Sequence, residues 1–369
     1  EYPLAIKRLE LAIEAAREGA RVLIIRNRVQ DCVDVHQAIE DELGDDATDL
    51  LLCVNEIPVP HHSRYAREDR ARLDTAIEAA FGEEDAEGNE IPIRGVIAVA
   101  TQTVQMSLDI SASLMMTDLC PVDVLLQRIG RLHRHGRTHP GEFETPKCIV
   151  LTPESRDLST AVVFGGEMDG RGLKGRHGLG TVYSDLRVLE ATWRLLADDK
   201  PIHWTIPDDN RRLVEHGTNP HALRAIVEDL AGTEPDESSG AWEQHQKWVI
   251  GERSADALTA KNVLLERHRL FGHQVFREDL EKVKTRLGQD DVRVEFPNAM
   301  VSSLDPSVGP SIRALAIPDH LIRDRGEGAV DLDELEANDI EKTESGFCFT
   351  ANGKRFRYDR MGLARIESG

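Results

Sequence analysis

The 369-residue sequence has no Cys-x-x-Cys pair: Cys32, Cys53, Cys120, Cys148 and Cys348 are scattered singly. That spacing argues against a thiolate zinc site and a disulfide framework, and it fits a reducing, cytoplasmic setting. No apolar run approaches the roughly 18 residues a membrane span needs, and the first residues show no signal-peptide pattern. There is no Gly-x-x-x-x-Gly-Lys-Ser/Thr, so no loop of that kind to cradle a triphosphate. Positive charge is also scarce: 66 Asp and Glu against 45 Lys and Arg leave a formal net charge of -21. An acidic surface repels nucleic acid on average and confines phosphate binding to local basic stretches. The excess of arginine over lysine fits a salt-adapted or GC-rich source. The chain begins at Glu1 directly in a helical pattern, as expected of a piece of something longer.

What is present alternates between strand and helix signals. "RVLIIRN" (21–27) reads as a buried parallel strand, and the helix "VQDCVDVHQAIEDEL" follows it. "LLCV" (51–54) is a second strand-like run, ahead of the helix "AREDRARLDTAIEAAF" (66–81). An acidic loop then leads to the strand "GVIAVA" (95–100), followed by "LMMTDL" (114–119), a helix from about Pro121 to His133, and the strand "KCIVLT" (147–152). This alternation implies an α/β domain over 1–155, a parallel sheet flanked by helices on both faces, with ligand sites at the carboxyl ends of its strands. Beyond it, Gly-rich 165–180 reads as a connection. "VYSDLRVLEATWRLLADD" (182–199) reads as a long amphipathic helix with Leu186, Leu189, Trp193 and Leu196 at core spacing. We assign 156–219 to a linker containing this helix, and 220–369 to a smaller mixed α+β C-terminal domain. Asn352-Gly353, between alternating apolar runs, signals a hairpin.

One stretch stands against the acidic average. "PVDVLLQRIGRLHRHGRTHP" (121–140) holds four arginines and three histidines, with no acid after Asp123. A helix there puts Gln127, Arg131 and Arg134 on one face, with Leu125, Leu126, Ile129 and Leu132 inward and Gly130 allowing close approach. Two guanidiniums a turn apart beside a Gln amide, with no acid to neutralise them, form a fork suited to the phosphate oxygens of a nucleotide triphosphate. The histidines His61, His62, His133, His135 and His139 lack the spacing and carboxylate partners of a metal-ligand set.

"QRIGRLHR" matches the Gln-x-x-Gly-Arg-x-x-Arg motif of superfamily-two helicases, and "VATQTVQMSLDI" (99–110) resembles the motif that precedes it. "VLIIRN" followed by "HHSRYAREDR" (61–70), "SLDI...TDLCPVDVLLQRIGRLHRH", "IPDDNRRLVE" (206–215) and "TRLG" (285–288) resemble one branch, the helicase-nuclease of type I CRISPR interference systems. The resemblance covers nearly the whole chain. It implies the second RecA-like lobe, the linker and the C-terminal domain of an ATP-dependent single-stranded DNA translocase that acts with an RNA-guided surveillance complex.

By that resemblance Arg131 and Arg134 reach ATP as arginine fingers, Gln127 contacts nucleotide, Asp109 accepts from the ribose hydroxyl, and Gly130 belongs to the same site. From their strand-end and loop positions, Asn27, Thr101 and Ser107 are expected to donate hydrogen bonds to DNA backbone phosphates, and Arg64 to add charge. The family's Asp-Glu magnesium motif and His-Asp nuclease pair are not found, so the magnesium ligands and the nuclease are expected on a first lobe and HD part lying in a longer chain or on a separate one. This chain alone is expected to be inactive as an ATPase. The rival readings are a non-catalytic docking fragment and a lobe of another superfamily-two helicase acting on RNA or in repair.

Overall fold

A computed structural model describes residues 6–84, 88–89, 91, 94–105, 108–136, 139–153, 156, 158, 182–196, 201–231, 240–263, 291–323 and 334–366. The Gly-rich 165–180 segment, "TRLG" and Ser107 lie outside them. The first elements are α1 (Ile6–Arg17), β1 (Arg21–Ile25), α2 (Val29–Leu43), α3 (Ala47–Leu50), β2 (Cys53–Val54), β3 (Ile57–Pro58) and α4 (Arg67–Phe81). They are followed by β4 (Val96–Ala100), β5 (Leu114–Asp118), α5 (Val122–Ile129) and β6 (Lys147–Leu151). Strands β4-β1-β5-β6 form one parallel sheet in that order.

The expected two-faced burial is present. Val22, Ile24, Ile97 and Val99 pack against α1 and α2, while Leu23, Ile25, Ala98 and Ala100 pack under Ile77 and Phe81 of α4. A strand buried on both faces needs a continuous apolar run, which is what "RVLII" and "VIAVA" supply.

Two sequence expectations fail. "LLCV" is not a strand of the parallel sheet. Cys53–Val54 pairs antiparallel with Ile57–Pro58 around Asn55 and Glu56, both in the left-handed region, and only Leu51 bridges to Ile97. Pro58 and Pro60 lack the N–H donors a ladder needs.

The helix expected from Pro121 to His133 stops at Ile129. Gly130 caps it in ordinary helical geometry, with φ -61 and ψ -1. The chain then tightens and is drawn into a parallel bridge between Leu132 and Ala112.

Downstream lie α6 (Leu186–Leu195), α7 (Asn210–Thr218), α8 (Pro220–Ala231) and α9 (Ala241–Val263). Leu186, Leu189, Trp193, Val227 and Trp242 share a core with Leu119 and Leu125 of the lobe. Then come β7 (Asp291–Val301), β8 (Pro310–Pro318), α10 (Asp319–Ile322), β9 (Glu334–Glu336), β10 (Asn338–Thr343), β11 (Gly346–Ala351), β12 (Lys354–Asp359) and β13 (Gly362–Ile366). They form sheets β8-β7-β9 and β10-β11-β12-β13. The expected hairpin joins β11 to β12, with Asn352 and Gly353 at φ 47 and 69, as a two-residue primed turn requires.

The C-terminal sheets share one core with the lobe: Phe296, Phe347, Phe349 and Phe356 pack with Val59, Tyr65 and Leu73. Each ring buried in this way contributes about 1.5–3 kcal/mol. At the centre of the junction Asp69, fully buried, accepts from Tyr358 Oη at 2.6 Å, Ser302 Oγ at 2.5 Å and Arg72 Nη1 at 2.9 Å.

Candidate functional site

The residues singled out in the sequence fall at opposite edges of the parallel sheet, not at one. At the carboxyl edge, β1 runs into Arg26-Asn27-Arg28 and β4 into Thr101. The segment "HHSR" is laid beside them, for His61 N donates to Val99 O and Thr101 N donates to His61 O, both at 2.9 Å.

Buried Asp118 at the end of β5 organises this edge. It accepts from Arg26 Nε at 2.9 and 3.1 Å and from the backbone N of Asn27 at 2.7 Å. Burial raises its carboxyl pKa, and the Arg26 guanidinium opposes that rise. Asn27 is committed inward: its Nδ2 donates to Leu119 O at 2.9 Å, its Oδ1 accepts from Arg128 Nη2 at 3.0 Å, and its carbonyl accepts from Gln102 Nε2 at 2.8 Å. Thr101 is buried at the start of the short turn Gln102–Val104, its hydroxyl 3.5 Å from that of Thr103. Arg64 is half-buried, and among the described residues its guanidinium has no hydrogen bond or ion pair.

Arg128 is the residue the sequence reading missed. It is fully buried and donates to Thr117 Oγ1 at 2.5 Å, Asp118 O at 3.2 Å, Asn27 Oδ1 at 3.0 Å and Tyr183 Oη at 3.0 Å. The first arginine of "QRIGRLHR" therefore ties β1, β5 and α5 to the segment entering α6. Its position inside α5, on the same face as Leu125 and Val122, was the available signal.

The other two arginines lie at the amino edge, where β1 and β5 begin. Ala112 N donates to Arg131 O at 2.8 Å and His133 N donates to Ala112 O at 3.1 Å, which fastens the segment after α5 to the loop before β5. Arg131 is mostly buried, its Nη2 donating to Gln105 O at 2.7 Å. Arg134 is exposed, and its Nε pairs with Asp109 Oδ1 at 2.7 Å. His135 Nε2 reaches the same oxygen at 3.2 Å. The His135 contact, with Arg134 beside it, lowers the Asp109 carboxyl pKa below the usual range. Gln127 and Gly130 are exposed at the end of α5.

The geometry revises three expectations. Gln127, Arg131 and Arg134 do not share one helix face, because the helix ends before both arginines. The fork is not free of acid, because Asp109 pairs with Arg134 from a loop about 25 residues earlier in the chain, a long-range contact that local spacing does not show. Its place is the amino edge of the sheet, not the carboxyl edge. Among the described residues no group of three His, Cys, Asp or Glu side chains is arranged to hold a metal ion, and no helix is long and apolar enough to cross a membrane.

Comparison with known proteins agrees with this architecture. Residues 18–137 match the family model described as CRISPR-associated nuclease/helicase Cas3, C-terminal. The CRISPR-associated endonuclease/helicase Cas3 of Thermus thermophilus is 29% identical over 279 residues, covering 74% of this chain and 26% of the relative. The chain thus spans about a quarter of that relative's length. Among solved structures, T. fusca Cas3-ATP superposes with a TM-score of 0.67 at 20% identity, over 98% of this chain and 40% of that one. A chain in the structure titled "CRISPR RNA-guided surveillance complex, pre-nicking" superposes with a TM-score of 0.52 at 21% identity, over 98% of this chain and 42% of that one. Residues 18–137 are thus similar in sequence to the family model described as Cas3, C-terminal, and nearly the whole chain is similar in fold to Cas3 structures.

Proposed function

We propose that this chain supplies the second RecA-like lobe, a helical linker and the C-terminal domain of an ATP-dependent single-stranded DNA translocase in CRISPR interference, with domain limits near 155 and 219. ATP bound on a partner first lobe supplies the transferred phosphoryl group, and that lobe also supplies the magnesium ligands. One observation carries the reading: Arg134 is exposed on a backbone fastened by the Ala112–Leu132 bridge, and among the described residues a single exposed carboxylate holds its guanidinium. A surface pair of that kind is worth about 0–1 kcal/mol, so a phosphate displaces it readily. Arg131, fixed by Gln105 O, lends charge from behind, and Gln127 and Gly130 flank the entrance. Asp109 Oδ1 holds Arg134, while its Oδ2 is left for a ribose hydroxyl.

The carboxyl edge then faces the strand. Arg64 provides charge, Thr101 provides a hydroxyl, and Asn27 holds the rim in shape through its inward bonds; Ser107, outside the described residues, is proposed from the sequence alone as a second hydroxyl. Contacts of this kind position a strand without reading its sequence. The two-edge layout favours this reading over a docking fragment, which has no use for an exposed arginine poised away from the strand-facing rim. The family match favours it over another superfamily-two lobe.

The test supplies a first lobe carrying the nucleotide loop and measures steady-state ATPase against DNA concentration. Arg134→Ala is expected to lose turnover by about 10³-fold or more, and Arg134→Lys not to rescue it, because a point charge lacks the planar fork. Thr101→Ala is expected mainly to weaken DNA stimulation. Full turnover by a folded Arg134→Ala assembly refutes the finger assignment. DNA-stimulated phosphate release by this chain alone refutes the need for the first lobe.

A further inference from the structure

We infer that the turn between β12 and β13 is a positioning element for Arg64, holding its guanidinium at the carboxyl rim as the contact for one backbone phosphate of a single strand. The inference rests on the reading of Arg64 as a strand contact and adds the device that places it.

The 62–65 loop is tied to the 360–363 turn at several points. Leu363 N donates to Arg64 O at 2.8 Å, and Tyr65 Oη donates to Arg360 O at 2.7 Å. His62, fully buried, lies between them: its Nδ1 accepts from Arg64 N at 3.2 Å, so the proton sits on Nε2, which donates to Met361 O at 3.0 Å. Its ring stacks on Tyr65 at 4.6 Å. Burial holds the His62 pKa well below the usual imidazole range, so this neutral tautomer persists. Gly362 closes the arrangement. Its φ is +80, and a Cβ there would lie 2.6 Å from both Arg64 O and His62 Cε1. The turn meets the loop backbone with no room between them.

These bonds spend the Arg64 backbone and leave its side chain free among the described residues. The carboxylates on the adjoining segments are already used: Asp31 pairs with Arg28 at 3.1 Å, Asp118 with Arg26 at 2.9 Å, and Asp74 with Arg70 at 3.0 Å. Burial and the neighbouring Arg28 push the Arg64 pKa down to about 10. A half-buried cation beside another cation, with no counterion, favours an anion. The nucleotide-facing arginines occupy the opposite edge, which leaves strand phosphate for this one.

The experiment measures binding of fluorescein-labelled oligothymidine to the 369-residue chain across a salt series, for Gly362→Ala, His62→Phe, Arg64→Ala and the Arg64→Ala/Gly362→Ala double variant. Circular dichroism melting confirms that each is folded. Arg64→Ala should weaken binding roughly tenfold and reduce the steepness of log K against log salt by about 0.7, one single-strand phosphate contact. Gly362→Ala should reproduce that change in steepness, and the double variant should lose no more than Arg64→Ala. His62→Phe keeps the stack and removes both ring hydrogen bonds, so it gives the same answer if Gly362→Ala does not fold. Should Gly362→Ala and His62→Phe bind normally while Arg64→Ala is weakened, or should the two losses add in the double variant, the positioning role is overturned and the strand contact stands. Unchanged binding by Arg64→Ala, or none by the parent chain, overturns the strand contact itself.

Discussion

Replacing Arg128 by lysine separates the structural arginine of "QRIGRLHR" from the two proposed to meet phosphate. Arg128 places two guanidinium nitrogens among four acceptors, Thr117 Oγ1, Asp118 O, Asn27 Oδ1 and Tyr183 Oη, inside a site with no solvent exposure. A lysine ammonium is a point donor on a shorter reach and cannot span both the Thr117–Asp118 side and the Asn27–Tyr183 side. Two acceptors are then stranded in the interior at about 1–3 kcal/mol each, which gives a loss of roughly 3 kcal/mol for the variant. Against a typical native stability of about 5–15 kcal/mol, that is a large share. Urea unfolding followed by tryptophan fluorescence is the assay, because buried Trp193 and Trp242 share a core with Tyr183 and Leu125. The midpoint should fall by about 1 M or more. Arg134→Ala, which removes only the exposed pair with Asp109, should move it by less than the equivalent of about 1 kcal/mol. A midpoint for Arg128→Lys within that smaller range refutes the structural assignment.

Three further outcomes follow from the same geometry. Asp109→Asn in the two-lobe assembly should replace the charged acceptor proposed for the ribose hydroxyl by a weaker neutral one and raise the ATP concentration needed for half-maximal turnover, read as an increase in KM exceeding the fall in kcat. Burial lowers the pKa of His36 to about 3 and of His245 to about 4, and moves His61 and His62 the same way. The unfolded chain therefore binds more protons below about pH 6.5, and thermal stability should decline from there toward pH 4; a melting temperature flat across that window contradicts the burial. Burial also raises the thiol pKa of Cys32, and that of Cys120 to about 11, so iodoacetamide at pH 8 should label these two only after unfolding, as peptide mass mapping would show.

The parallel sheet was legible because its strands are buried on both faces and read as unbroken apolar runs, and α2 was legible end to end because its pattern stops at Gly44. The site was less so. Nothing local ends α5 at Ile129: Gly130 keeps helical angles, and the break comes from the bridge to Ala112, whose strength depends on a partner outside any local window. Asp109 hid its role for the same reason. Within the C-terminal sheets only the Asn352-Gly353 turn was read, although Val292, Val294 and Phe296 alternate with exposed residues along β7 as a half-buried strand does. The acidic average concealed the basic rim, because a net charge describes the whole surface and Arg64 and Arg28 occupy one edge of one sheet.

The core shared between α4 and the C-terminal sheets has a consequence for biosynthesis. Val59, Tyr65 and Leu73 leave the ribosome first, and Phe347, Phe349 and Phe356, which cover them, are made roughly 280 residues later. At about 5–20 residues per second, that apolar face waits some tens of seconds, with the Asp69 carboxylate beside it still lacking Tyr358 and Ser302. For that interval the nascent lobe is a client for holding chaperones, and strands near residue 350 complete a core begun near residue 60.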